Sequence, residues 1–193
     1  MSDGPRLVPP AVAIPAFEST GVLPPFLGSP VNPGAQSPYR VSLVEVINRF
    51  AGTVERRTIL AGLLSYRSAL HAAGFSVGFQ WLDGSFMEQI EVLEALPPGD
   101  VDMVTFCTPP AGRMAPNVVT LFDPKYTKPT YRCDAYVVNL SLHQERIVRG
   151  TAYWYGLFSH RRDRQWKGML EVDLAPVEDA AAAMALSQVG VTP

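Results

Sequence analysis

Apolar positions change period several times along the chain, and each change marks an element. Leu43, Val44, Val46, Ile47 and Phe50 share one face of a short helix that begins after Ser42 and ends at Gly52. Thr53 caps a second helix, with Arg56 rather than an acid at its third position, so no capping box forms there. Its buried face is Ile59, Leu60, Leu63, Leu64, Tyr66, Ala69, Leu70 and Ala73, and Gly74 closes it. Residues 77–82 read as a strand leading into Asp83-Gly84-Ser85, and residues 86–96 return to helical spacing before Pro97-Pro98-Gly99. A strand over 100–106 follows. Residues 108–129 are broken by Pro109, Pro110, Gly112, Pro116, Pro124 and Pro129 and predict a long loop with a short element at 118–121. A strand over 131–138, a helix over 141–158, a strand over 168–174 and an alanine-rich terminal helix over 178–187 complete the pattern.

Residues 1–38 hold nine of the 18 prolines, which bars helix interior and central strand. Val8, Val12, Ile14, Phe17, Val22, Leu23, Phe26 and Leu27 are interspersed, so the segment reads as an extended arm lying on the domain, with a disordered tail as the alternative. Three segments result: the Pro-rich arm (1–38), a domain over 39–175, and a C-terminal helix and tail over 176–193. Helices alternate with strands, giving an α/β (α+β) fold, a short mixed sheet covered by helices.

Composition narrows the function classes. The net charge of −2 argues against a protein coated in basic residues for nucleic acid, though not against a local basic groove. Cys107 and Cys133 are the only cysteines and make no C-x-x-C pair, consistent with a reduced cytoplasmic protein without a structural zinc site. Met1-Ser-Asp-Gly-Pro5 lacks the basic and apolar regions of a secretory signal, and no apolar stretch nears the roughly 18 residues of a membrane span.

The candidate chemistry lies in carboxylates. Asp100 and Asp102 are two apart on a strand and so share a face, and Asp134 sits on a later strand. Close carboxylates repel unless a cation lies between them, and hard oxygen ligands of this kind suit Mg²⁺ with substrate phosphates. In order, the chain gives strand, Gly84-Ser85, helix, Asp100-x-Asp102 on a strand, and Asp134 on a third strand. This resembles the nucleotidyltransferase superfamily of the DNA polymerase β type over residues 81–138. Trp81-Leu82-Asp83-Gly84-Ser85-Phe86, Pro98-Gly-Asp-Val-Asp102 and Tyr153-Trp-Tyr-Gly-Leu-Phe-Ser-His-Arg-Arg162 look like a small bacterial family of that fold, over residues to about 174.

The resemblance implies a nucleotidyltransferase-like fold and roles for particular residues. Asp100 and Asp102 would hold two Mg²⁺ ions, with Asp134 completing the ion nearer the attacking hydroxyl; two such ions about 4 Å apart stabilise the attacking and leaving oxygens of phosphoryl displacement. Gly84 would let backbone approach an NTP triphosphate, Ser85 would donate to its phosphates, and a helix from Phe86 would direct its positive end there. Fourteen residues separate Ser85 from Asp100, on the long side for the superfamily, and Phe86 is bulky enough to narrow the phosphate pocket. The expected activity is Mg²⁺-dependent transfer of a nucleoside monophosphate from an NTP, ATP included, to a hydroxyl of an RNA, protein or small molecule. The alternative is a non-catalytic module of the same fold that binds a protein partner, as in toxin–antitoxin or defence systems.

Other groups have two readings each. His160 to Lys167, with Arg161, Arg162 and Lys167, fits a triphosphate or RNA-backbone clamp with Trp166 stacking on a base, or a solvated helix end. Tyr153-Trp154-Tyr155 reads as core in preference to a nucleoside pocket. Lys125 and Lys128 read as loop lysines in preference to triphosphate ligands. His71 and His143 have no partner at metal-ligand spacing. There is no G-x-S-x-G elbow or P-loop.

Overall fold

The computed structural model describes residues 13–112 and 116–189. Five strands, β1 (Tyr39–Arg40), β2 (Gly78–Asp83), β3 (Val101–Cys107), β4 (Cys133–Asn139) and β5 (Leu170–Asp173), form one open sheet in the order β1-β5-β2-β3-β4. The pairs β1·β5 and β3·β4 are parallel; β2 is antiparallel to both β5 and β3. The helices among the described residues are α1 (Leu43–Phe50), α2 (Val54–Ala72), α3 (Ile90–Leu93), α4 (Pro124–Tyr131), α5 (Gln144–Phe158) and α6 (Asp179–Gln188). The fold is thus a mixed α/β sheet covered by helices. None of these helices is long and apolar enough to cross a membrane.

Alternation along the strands sends side chains to two unequal cores. Leu82, Val101, Met103, Cys133, Ala135, Leu170 and Val172 face the main core with α1, α2 and α6. Trp81, Val104, Phe106, Val138 and Met169 face a smaller core closed by Phe158 of α5. Part of the arm is packed on the main core: Leu23 is fully buried in it with Ile14 and Phe17 against it, Val22 is also fully buried, and residues 27–34 are exposed. Tyr39 Oη donates to Pro24 O (2.7 Å) and Gly168 N to Leu23 O (2.8 Å). Residues 1–12 lie outside the described residues.

Capping follows the sequence. Ser42 and Glu45 form a capping box on α1, and Thr53 Oγ1 accepts from Arg56 N on α2. Two charged positions on the buried face of α2 anchor it. Arg67, fully buried, donates to Gln80 Oε1 (2.7 Å), Asp173 O (2.9 Å) and Asp179 Oδ1 (2.7 Å), tying α2 to the sheet and to α6. Arg56 donates to Phe86 O and Glu88 O, both at 2.7 Å, and to Glu91.

Arg56 explains the first correction. Residues 86–96 are not one helix but a 3-10 turn at Ser85–Met87 and the single-turn α3. Arg56 takes two carbonyls that a helix would use, Gln89 N donates to Gly21 O, and Glu88 is extended at φ −122° and ψ 164°. Tertiary bonds here override local propensity. The second correction lies in the expected 108–129 loop, which holds a 3-10 turn at Pro116–Phe122 and all of α4 except its last two residues. Pro124 follows the Asp123 cap, whose carboxylate accepts from Lys125 N, so this proline starts a helix rather than breaking one. Tyr131 ends α4, and Arg132 turns the chain at φ +57° into β4.

α4 is seated closely on α2. A Cβ built on Gly62 of α2 would overlap Tyr131 O, and backbone cannot move aside as a side chain can. Gly62→Ala is expected to cost about 1–3 kcal/mol, as overpacking does, read as a lower urea midpoint at unchanged m-value. A neutral or stabilising outcome would show that α4 shifts freely.

Candidate functional site

β2 runs out where β3 and β4 begin, so the register places Asp83 opposite Asp102 and Asp102 opposite Asp134. The three carboxylates form a row across adjacent strands, on the face that carries the smaller core. Asp100 precedes β3 by one residue and joins the row through Lys128. That ammonium lies 3.0 Å from Asp100 Oδ2 and 2.8 Å from Asp134 Oδ2. The predicted triad is therefore brought together, with a lysine from the segment read as a loop lying among its members.

The electrostatics of the row are uneven. Burial, then the neighbouring charges of Asp100 and Asp134, pushes the Asp102 carboxyl up to about 6. The hydrogen bond to Asp134, then that to Asp100, raises Lys128 against the effect of burial and keeps it charged. Oδ1 of Asp134 is buried without a hydrogen-bond partner. The Lys128 ammonium thus pairs with two of the carboxylates, and Asp102 has neither of these ion pairs.

Asp83 has a separate arrangement. Lys167 Nζ is 2.9 Å from Asp83 Oδ1, though poorly aligned as a hydrogen bond, and donates to Glu88 Oε1 at 2.9 Å. Lys167, Asp83 and Glu88 are all buried. Burial disfavours the charge on Lys167, but the two carboxylates outweigh it and hold the pKa above the ordinary lysine value. Arg161 pairs with the other oxygen of Glu88 at 3.1 Å and with Glu94 at 3.0 Å.

Gly84 joins the two arrangements. Its φ is +84°, a left-handed conformation that favours glycine, and a Cβ there would overlap Oδ2 of Asp102. The missing side chain makes room for that carboxylate. Ser85, half-buried, opens the 3-10 turn, and its carbonyl accepts from Glu88 N. The helix expected to direct its positive end from Phe86 is replaced by this turn. Phe86 is fully buried in the main core against Phe50 with Arg56 over its ring, so it does not narrow a pocket beside the carboxylates.

The basic stretch is neither a helix end nor a row of free cations. Residues 160–166 form a tight loop closed by the His160–Trp166 bridge, with Trp166 packed between His160 and Phe26. Of its predicted phosphate ligands, Arg161 and Lys167 are engaged by carboxylates and Arg162 is exposed. Trp154 and Tyr155 pack against the smaller core, while Tyr153 is exposed.

The residue pattern matches a known family, described as a family of unknown function (DUF6932), over residues 15–173. The chain belongs to the DUF6932 family. No curated protein and no solved structure matches it. The matched span of this DUF6932 member includes the packed part of the arm, the whole carboxylate row and Lys167.

Asp83, Glu88 and Lys128 were not singled out as site residues by sequence. For Asp83 a signal existed, since Phe79, Trp81 and Asp83 alternate on one face of a strand. For Glu88 and Lys128 the pattern carried none, because their roles depend on segments distant in sequence or on a helix hidden by prolines.

Proposed function

We propose that the chain is a nucleotidyltransferase-like domain of the DNA polymerase β type, which transfers a nucleoside monophosphate from an NTP to a hydroxyl of an RNA, protein or small-molecule acceptor. The observation that carries this reading is the register of Asp83, Asp102 and Asp134 across three strands, with the Gly84 turn against the middle carboxylate. The antiparallel and then parallel order of β2, β3 and β4 supports it, because it gathers a glycine turn and two strand starts at one end of the sheet.

The donor chemistry suits Mg²⁺. All ligands on offer are carboxylate oxygens, one is buried and unpartnered, and the negative charge is only partly offset. As the side chains stand, no three His, Cys, Asp or Glu among the described residues are arranged as a ligand set. The Lys128 ammonium lies between two of the carboxylates. Asp100, Asp102 and Asp134 would hold the metal, which when bound supplies charge neutralisation for the phosphates. Asp102, with its carboxyl near 6, is ionised at neutral pH and so available as a ligand. Asp134 would complete the metal site and help to deprotonate the acceptor hydroxyl. Gly84 keeps the wall beside Asp102 clear, and Ser85 would donate its hydroxyl to the phosphates.

Calorimetric titration of the four NTPs with Mg²⁺ tests the reading. Wild type is expected to bind at least one in a metal-dependent manner, and Asp100→Ala/Asp102→Ala is expected to lose that binding. Folded wild type that binds none of them would overturn the proposal.

A second reading, a protein-binding module of the same fold, draws on α5. Only Phe158 of its 15 residues is buried, and Val148, Tyr153 and Leu157 are exposed. Its mark would be an intact fold without NTP binding.

A further inference from the structure

Lys128 stands where a cation would sit. Its Nζ is within 3.0 Å of a carboxylate oxygen on each side, from Asp100 before β3 and from Asp134 in β4. Its backbone is fixed: α4 is seated on α2 at Gly62, and Lys128 O accepts from Arg132 N at the turn into β4. Its side chain is free to move, being 47% exposed on a flexible four-carbon stem. An ammonium cannot ligate a metal ion, so the two cations exclude one another from the same oxygens.

We propose that Lys128 is a resident counter-ion that competes with the divalent metal, occupying the carboxylates in the metal-free chain and swinging to solvent when the ion enters. The proposal rests on the reading of Asp100, Asp102 and Asp134 as a Mg²⁺ site. It makes free-metal affinity deliberately weak, since each binding event must break two ion pairs. It also leaves the protein folded without metal, because the row is never without a cation.

The test is Mn²⁺ binding followed by electron paramagnetic resonance on the purified chain, without substrate. Lys128→Gln is expected to bind Mn²⁺ at least tenfold more tightly than wild type, while Lys128→Arg, which keeps the charge, stays weak. Lys128→Gln/Asp134→Asn is expected to lose the gain. Equal or weaker binding by Lys128→Gln would overturn the competition. If Asp102→Asn still abolished wild-type binding, the carboxylate site itself would stand. Absence of Mn²⁺ binding in wild type and Lys128→Gln, both folded by circular dichroism, would overturn the competition and the metal reading together. Should Lys128→Gln lose its fold, side-chain NMR of wild type gives the same decision. The Lys128 ammonium signal is expected to move on Mg²⁺ addition; an unmoved signal while the Asp102 carboxyl carbon shifts would overturn the proposal.

Discussion

Lys167→Met is expected to lower stability by about 3–5 kcal/mol, the cost of leaving buried charge without its partner. Lys167 is 4% exposed and is the cation shared by Asp83 and Glu88. Arg161 continues to serve Glu88, so the loss falls mainly on Asp83. Burial already raises the Asp83 carboxyl to about 7, and removing the ammonium raises it further. The sign follows from proton binding. A folded-state value above the unfolded one means that the native state holds the extra proton, so stability falls as pH rises. Up to about pH 7 both proteins lose stability alike, so the defect should grow only above about pH 7, where wild type releases the Asp83 proton and the variant still holds it. Adding Asp83→Asn to Lys167→Met should recover much of it, a coupling that a double-mutant cycle in urea measures. A loss under about 1 kcal/mol, flat with pH, would show that the pair contributes little.

Asp102→Asn is expected to do the opposite, stabilising the metal-free protein by about 2–3 kcal/mol near pH 8 while weakening metal and NTP binding. The Asp102 carboxyl lies at about 6 in the fold against 3.8 for the free group. Each unit is worth about 1.4 kcal/mol. Between those values the native state retains a proton that the unfolded chain has released, so wild type loses stability as pH rises through that window. Asparagine carries no charge at any pH. The variant and wild type should thus be close at about pH 4 and diverge up to about pH 7. The measurement is urea denaturation in chelator at both ends of the range. Saturating Mg²⁺ should close the gap by stabilising wild type alone, as a ligand that binds only the native state does. A variant no more stable than wild type at high pH would refute the account of a strained carboxylate row.

What sequence revealed, and what it did not, divides along local and non-local causes. α1, α2, α5 and α6 and strands β2 to β5 follow from caps and periodicity in their own residues, though Asp100 falls just before its strand. The two-residue β1 and the fate of residues 86–96 were hidden. Both are decided by partners far along the chain, Leu170 and Glu171 for β1, and Arg56 and Gly21 for the broken helix. α4 was obscured by reading prolines as breakers without the Asp123 cap. Two signals were available in the helix pattern. Arg56 and Arg67 are 11 residues apart, three helical turns, and so lie on the same face as Ile59, Leu60, Leu63 and Leu70. A charge on an apolar face announces a buried partner. Strand order and register, which bring Asp83, Asp102 and Asp134 into one row, required the sheet itself.

The packed arm sets a condition on how the chain is made. Met169 N donates to Ser37 Oγ, 132 residues away, and Leu23 is sealed by Gly168. Ser37 therefore waits for a partner that is synthesised 132 residues later. At ribosomal rates of about 5–20 residues per second, Val22 and Leu23 spend roughly ten seconds or more exposed before β5 emerges to cover them. Closure of so distant a loop is slow. The β1·β5 seam is thus the last part of the sheet that can form during synthesis.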